Sequence, residues 1–269
     1  MPIITLSTDF GTKDPDTAFL KTRILQEIPD AQIIDITHQL TPFDVEEAVY
    51  ILKNSLNFFP KGSIHLIAFD SEVTHQNKAI AVQTDDYFFL TNDNGLIPEI
   101  LSGKTYKAFD LSAPIYDRFM TYHIEAIKKF IEDAFPTLFS EELSELKKYS
   151  FAKPVLKFEG KLVKHIFPRV IYVDNFGNAV FNLKQDEFEK HRQNRKFSIL
   201  TDFDKIYKLS KGYSDLLSNE PGGIYGKAGA GFNRFGYLEI FMNSSNYDRG
   251  GANNLLGLSK NSQIKISFD

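Results

Sequence analysis

The chain has 269 residues, 42% hydrophobic and 25% charged, a globular composition that excludes global disorder and fibrous repeats and allows one large domain or two ordinary ones. Lys+Arg 31 against Asp+Glu 35 gives a net charge of −4 with no block of like charge, so the basic face of a nucleic-acid binder is missing and a small-molecule partner is expected. Zero cysteines exclude disulfides, thiolate nucleophiles and Cys-ligated metals.

Met1-Pro2 runs straight into Ile3-Ile4-Thr5-Leu6 and then Asp9, too short an apolar stretch for a signal peptide or a spanning helix, so a cytoplasmic location away from membranes is expected. Short β-branched runs then alternate with helix-like segments, the pattern of βαβ units on a largely parallel sheet. A strand at 3–7 precedes a helix over about 16–26, and a strand at 31–37 precedes a helix over 44–57, in which Asp44 caps an apolar periodicity of Val45, Ala48, Val49 and Leu52. A buried strand is expected at 63–69, a hairpin of 78–84 and 87–91 around Asp85-Asp86, and helices at 123–134 and 140–148. From about Phe151 the texture changes, and strand-like runs at 170–173, 179–183, 197–201, 237–242 and 263–268 are separated by Gly-, Asn- and Ser-rich loops. The expected fold class is α/β: a Rossmann-like three-layer domain with a mostly parallel sheet over 1–153, then a smaller mainly-β domain over 160–269, with Pro154 interrupting the chain between them.

Three apolar runs of the first half end in polar groups: Ile4–Thr8 at Asp9, Ile64–Phe69 at Asp70, and Tyr87–Thr91 at Asn92-Asp93-Asn94. In a parallel α/β sheet the crevice beyond the carboxyl ends of the strands is where ligands bind, so these groups are expected to converge there. Asp and Asn also begin turns and cap helices after strands, which accounts for any one of them alone. Ser7-Thr8-Asp9-Phe10-Gly11 lacks the glycines of a dinucleotide fingerprint and is not a phosphate loop. A carboxylate there suits the paired hydroxyls of a ribose and repels a phosphate. His38, His65, His165 and His191 show no ligand-like spacing with acidic partners and read as capping, packing or surface residues.

Taken together the motifs resemble a known family, the S-adenosyl-L-methionine (SAM) hydrolases that form adenosine, or SAM hydroxide adenosyltransferases, related to fluorinase and chlorinase. The resemblance is carried by Ser7-Thr8-Asp9-Phe10-Gly11, Asp35-Ile36-Thr37-His38 with Pro42-Phe43-Asp44-Val45, Asn92-Asp93-Asn94-Gly95-Leu96, Asp174-Asn175-Phe176-Gly177-Asn178 with Asn182, and Asn233-Arg234-Phe235-Gly236-Tyr237-Leu238-Glu239-Ile240. It implies an α/β domain followed by a small β domain and a homotrimer that holds an adenosyl ligand, SAM or adenosine, between the first domain of one subunit and the second of its neighbour. No metal and no further cofactor are expected. By motif, Asp9 and Asp14 hold the ribose hydroxyls, Phe176 and Asn178 line the adenine pocket, Asp174 faces the methionine ammonium, and Asn233 with Arg234 stands at the methionine end.

The family's hydrolytic centre is an Asp, an Arg seven residues later and a distant His. Here the Asp is Asp70 and the His is His123, while the Arg position holds Asn77, with Lys78 beside it. The family's Asp-Pro-Gly-Val-Gly loop reads Asp70-Ser71-Glu72-Val73-Thr74, with His75 following; Arg234 replaces a serine, and Ile124-Glu125-Ala126 replaces Gly-Arg-Asp after the His. Three functions follow: a SAM hydrolase, a non-catalytic adenosine- or SAM-binding protein that has lost the arginine, and an enzyme acting on another 5′-modified adenosine.

Overall fold

In a computed structural model, which describes residues 1–113, 120–132, 142–216, 228–242 and 250–269, the chain forms two units, 1–150 and 151–269. The first runs β1 (Ile3–Thr8), α1 (Asp16–Glu27), β2 (Gln32–Thr37), α2 (Val45–Ser55), β3 (Ile64–Ala68), β4 (Ala79–Gln83), β5 (Phe88–Asn92), α3 (Leu96–Ile100), β6 (Lys107–Asp110) and α4 (Thr121–Ile131). Asp44 caps α2 as its position suggests, its side chain accepting the Glu47 amide at 3.1 Å.

These strands make one mixed sheet in the order β2-β1-β3-β5-β4-β6. The pairs β1–β2, β1–β3 and β3–β5 are parallel, whereas β4 pairs antiparallel with both β5 and β6. The largely parallel arrangement thus holds for four strands, and the hairpin read around Asp85-Asp86 adds an antiparallel edge. Leu6, Leu66, Ala68 and Leu90 lie on one face with Leu20, Ile24, Ile124 and Ile127 of α1 and α4. The helix expected over 140–148 is overturned for its described part, since Ser140 and Glu141 lie outside the described residues. Glu142 instead bridges to Phe109 on β6, and the Leu143 amide donates to the Ala108 carbonyl at 2.8 Å. An unpaired sheet edge took these backbone groups in place of a helical turn. Ala134 of the preceding helix also lies outside the described residues.

The second unit contains β7 (Val155–Glu159), β8 (Leu162–Phe167), β9 (Val170–Val173), β10 (Ala179–Lys184), α5 (Gln185–Arg192), β11 (Phe197–Leu200), β12 (Lys205–Ile206), β13 (Ala228–Phe232), β14 (Tyr237–Met242), α6 (Ala252–Leu255) and β15 (Lys265–Phe268). Two antiparallel sheets, β13-β14-β10-β9 and β12-β11-β15-β8-β7, enclose a core that includes Phe181, Phe188, Ile240 and Phe268. Sequence patterning missed the β7–β8 hairpin, α5 and β13. In α5 the segment Gln-Asp-Glu-Phe-Glu-Lys-His-Arg carries one apolar residue, so no periodicity can be read. In β13 two glycines weaken the strand signal. Among the described residues no helix is long and apolar enough to cross a membrane.

One histidine of the first unit makes stability depend on pH. His65 on β3 is 1% exposed, its Nδ1 lies 2.7 Å from Thr5 Oγ1, and Phe59, Tyr87 and Phe89 surround the ring. Burial pushes its pKa down to about 3. The folded state therefore resists the proton that the unfolded state takes up below its ordinary value of about 6.5, and stability falls as pH drops from there toward 3. Chemical denaturation between pH 8 and 4 should show this slope, and His65→Leu should flatten it; an unchanged slope in the variant would assign the pH dependence elsewhere.

Candidate functional site

In the first unit the candidate groups gather at the carboxyl ends of β1, β3 and β5. In-register pairing sets Thr8 opposite Ala68, so the residues that follow emerge together. The Asp9 amide donates to the Ala68 carbonyl at 3.3 Å, and the Asp70 amide donates back to Asp9 Oδ2 at 3.0 Å. Burial raises the Asp9 pKa; the Asp70 amide opposes that rise and the Asp70 charge adds to it. Asp14 is exposed on the loop leading into α1.

Asp70 itself sits at φ +44°, a left-handed conformation that costs a non-glycine residue about 1–2 kcal/mol. The surrounding structure enforces it from both sides of the residue: Asp9 takes the N–H, and the Asn77 side-chain amide donates to the carbonyl at 2.6 Å. The same Asn77 amide donates to the Glu72 carbonyl at 3.0 Å. Asn92 donates to the carbonyls of Ser71 at 3.3 Å and Asn77 at 3.2 Å, and Asn94 donates to that of Phe69 at 2.7 Å. Three buried amides therefore hold five carbonyls of one loop. Asn77 is a tether at 7% exposure; it places no cation beside Asp70. Lys78 pairs with Asp110 at 2.7 Å, while Glu72 and His75 are exposed.

His123, on α4, is fully buried, and its Nε2 lies 2.8 Å from the Thr91 carbonyl. A carbonyl only accepts, so Nε2 carries the proton and ties α4 to β5. For His38, which shows no ligand-like spacing with acidic residues in the sequence, the fold supplies an acidic partner. His38 Nε2 lies 3.1 Å from Asp35 Oδ1, and its Nδ1 lies 3.0 Å from Thr8 Oγ1.

In the second unit the candidate residues gather around one face of the four-stranded sheet and the β9–β10 loop at its end. Along β14, Leu238, Ile240 and Met242 enter the core, which by strand alternation places Tyr237, Glu239 and Phe241 on the other face. Asp174 follows β9 and Asn178 precedes β10. Asp174 Oδ1 accepts the amides of Phe176 and Asn178, each at 2.9 Å, and Oδ2 accepts the Asn178 side chain at 2.8 Å. Gly177 makes this loop possible: at φ +74° it approaches Gly251 so closely that a Cβ would lie 2.8 Å from the Gly251 Cα. Phe176 is left 66% exposed at the tip. Asn178 also donates to the Tyr213 hydroxyl at 2.5 Å, and the Tyr213 ring packs on Phe241 with centroids 4.8 Å apart.

Glu239 completes this face. Burial, helped by the Asp174 charge, raises its pKa, and a hydrogen bond from the Asn233 side chain opposes the rise. Burial likewise raises the Tyr213 pKa. Asn233 Oδ1 accepts the amides of Phe235 at 3.0 Å and Tyr237 at 3.1 Å, closing the turn between β13 and β14. Arg234 is exposed, its guanidinium 4.7 Å from the Phe235 ring centroid. Sequence reading missed Glu239 and Tyr213. The alternation of Tyr237, Glu239 and Phe241 within an apolar strand could have exposed the first; nothing local marks Tyr213, which arrives from a separate segment.

Residues 4–130 match the SAM hydroxide adenosyltransferase N-terminal domain and residues 168–265 the SAM hydroxide adenosyltransferase C-terminal domain. The chain is 30% identical to the (R)-S-adenosyl-L-methionine hydrolase of Methanocaldococcus jannaschii over 199 residues, 70% of this chain and 69% of that one. It is 23% identical to a fluorinase of Nocardia brasiliensis, with 91% of each chain aligned. Its fold is similar to the crystal structure of an uncharacterized conserved protein from Thermotoga maritima, with a TM-score of 0.78 at 23% identity, covering 98% of this chain and 99% of that one.

The tether role of Asn77 is open to direct measurement. Asn77→Ala removes both donors and should destabilise the first unit by about 1–3 kcal/mol. Lys78→Ala, which breaks an exposed ion pair, should cost less than about 1 kcal/mol. Equal losses in urea denaturation would mean that Asn77 does not hold the loop.

Proposed function

Because the chain belongs to the SAM hydroxide adenosyltransferase family, we propose that it hydrolyses SAM to adenosine and L-methionine. The oxygen of water attacks the ribose 5′ carbon in line with the sulfonium, the carbon–sulfur bond breaks, and its electron pair stays on sulfur as the methionine thioether. The proton of the attacking water passes to the Asp70 carboxylate and on to solvent. Since the leaving group is already activated, the protein's task is to position and desolvate the nucleophile.

The observation that carries this reading is the joint match of both units to the family, with the Asp9–Asp70 clamp at the strand ends where the ligand is expected. Asp9, with Asp14 on the next loop, takes the ribose hydroxyls. His123, sealed from solvent and bound to the Thr91 carbonyl, serves the centre by fixing the end of β5. Phe176 and Asn178 receive the adenine, Asp174 and Glu239 draw the ammonium by charge, and Asn233 with Arg234 lies toward the methionine end. In this reading the protein is a cytoplasmic homotrimer, its first unit Rossmann-like and three-layered, with each ligand completed by a neighbouring subunit.

The tether role of Asn77 favours a second reading, an adenosyl-binding protein without turnover. Both of its amide hydrogens are spent on loop carbonyls, so developing hydroxide has no cation at that position. Incubating the purified protein with SAM and following adenosine by chromatography separates the two. Adenosine formation abolished by Asp70→Ala supports the hydrolase, and tight SAM binding without product supports the binder. In either case Asp9→Ala should weaken adenosine binding by about 1.5–3 kcal/mol, the range for hydrogen bonds to a charged group. Undiminished affinity would remove Asp9 from the ribose site.

A further inference from the structure

The family reading leaves the Asp35-Ile36-Thr37-His38 segment without a task, yet the fold joins it to the residue beside Asp9. Lys21 of α1 lies 2.5 Å from Asp35 Oδ2, Asp35 Oδ1 lies 3.1 Å from His38 Nε2, and His38 Nδ1 lies 3.0 Å from Thr8 Oγ1. Thr8 is fully buried and His38 is 8% exposed, so this chain leads from the surface into the end of β1. Burial works to raise the Asp35 pKa, but hydrogen bonds from Lys21 and His38 outweigh it and hold the carboxylate below its ordinary value. An ionised Asp35 carboxylate 3.1 Å from Nε2 keeps the ring proton on that nitrogen, which leaves Nδ1 as the acceptor for the Thr8 hydroxyl. Thr8 Oγ1 in turn accepts the Phe10 amide at 3.4 Å, the His38 carbonyl accepts the Gly11 amide at 2.7 Å, and the Leu40 amide donates to the Thr8 carbonyl at 3.2 Å.

Asp9 therefore stands in a turn pinned on both flanks. One side is the Ala68–Asp70 backbone of β3, and the other is the side chain and carbonyl of His38. We propose that the Lys21–Asp35–His38–Thr8 chain is a positioning device for Asp9, setting the direction of its carboxylate toward a ribose diol. Thr8 and His38 are positioning residues that touch no ligand. A carboxylate that grips two hydroxyls at once depends on orientation more than one that meets a single charge, so loosening this turn should erase ribose selectivity before it erases nucleoside binding.

This inference rests on the reading of Asp9 as the ribose anchor, and the test separates the two. Adenosine and 2′-deoxyadenosine affinities are measured by calorimetry for the wild type, Thr8→Val, Thr8→Ser and Asp35→Asn, with thermal unfolding run on each. The wild type should prefer adenosine. Thr8→Val, which keeps the shape and removes the hydroxyl, should cut that preference about tenfold, equivalent to one hydrogen bond of ordinary strength. Thr8→Ser should restore most of it, and Asp35→Asn, a change at a partly exposed site where folding is safe, should shift it in the same direction as Thr8→Val. A wild-type ratio near one overturns the ribose anchor and the positioning device with it. A selective wild type whose ratio survives both Thr8→Val and Asp35→Asn overturns the positioning device alone. A purely structural role would lower the unfolding temperature without moving the ratio, and that result also overturns it.

Discussion

The register of β1 on β3 governs everything else in the first unit. The two strands pair parallel from Ile4 opposite Ile64 to Thr8 opposite Ala68, and they are buried almost throughout on both faces. Sliding one strand by a single residue would turn Leu6 or Leu66 away from the apolar side chains of α1 and α4, put Ser7 or His65 in their place, and separate His65 from Thr5 and its aromatic neighbours. The register is therefore set by the apolar side chains, and the candidate groups at the strand ends inherit it. Asp9 and Asp70 leave the sheet side by side because Thr8 and Ala68 are paired, and the contact between the Asp9 carboxylate and the Asp70 amide follows from that pairing. Half-burial then raises the Asp9 pKa, so one geometric fact fixes both the place and the electrostatics of the group.

Beyond the strand ends, backbone polar groups still need partners, and in the loop after Asp70 the Thr74–Asn77 backbone bridge provides them for only part of its length. Side-chain amides fill that role. An asparagine offers two donors in a fixed plane and can bind two backbone carbonyls at once. Asn77, Asn92 and Asn94 together do so for Phe69, Ser71, Glu72, Asn77 and the strained Asp70. The loop is held from within and from β5, a rigid arrangement that preserves a left-handed Asp70. The same arrangement explains why Asn77 and Lys78, at and beside the family's arginine position, are each engaged elsewhere, one in the loop and the other with Asp110.

The second unit reaches a similar end by strand alternation. Its four-stranded sheet gives one face to the core and leaves Glu239 and Phe241 with Asp174 and Asn178 on the other. The turn-forming side chains Asp174 and Asn233 close their loops by accepting two backbone amides each, while the Asp174 and Glu239 charges act on one another. Burial and the Asp174 charge together raise the Glu239 pKa, so the two carboxylates of this face are electrostatically linked.

The sequence by itself determined the elements of the first half up to β3 and the chemistry available. Alternating apolar runs and an Asp44 cap located β1, α1, β2, α2 and β3, because local propensity and burial agree there. The ordered motifs from Ser7 to Ile240 supplied the family, Asp9 and Asp70 stood out by their positions after strands, and Asp174 and Asn178 came from the motifs of the resemblance. Tertiary structure alone decided what each polar group does. Whether Asn77 is a vacancy or a tether depends on two carbonyls five and seven residues earlier that only a folded loop brings within reach. Whether His38 is an idle cap or a link between Asp35 and Thr8 depends on β1 lying against β2. Tyr213 joins Asn178 across 35 residues, and the segment after Glu142 took a sheet edge over a helix, both because partners distant in sequence were free to form hydrogen bonds that no local pattern encodes.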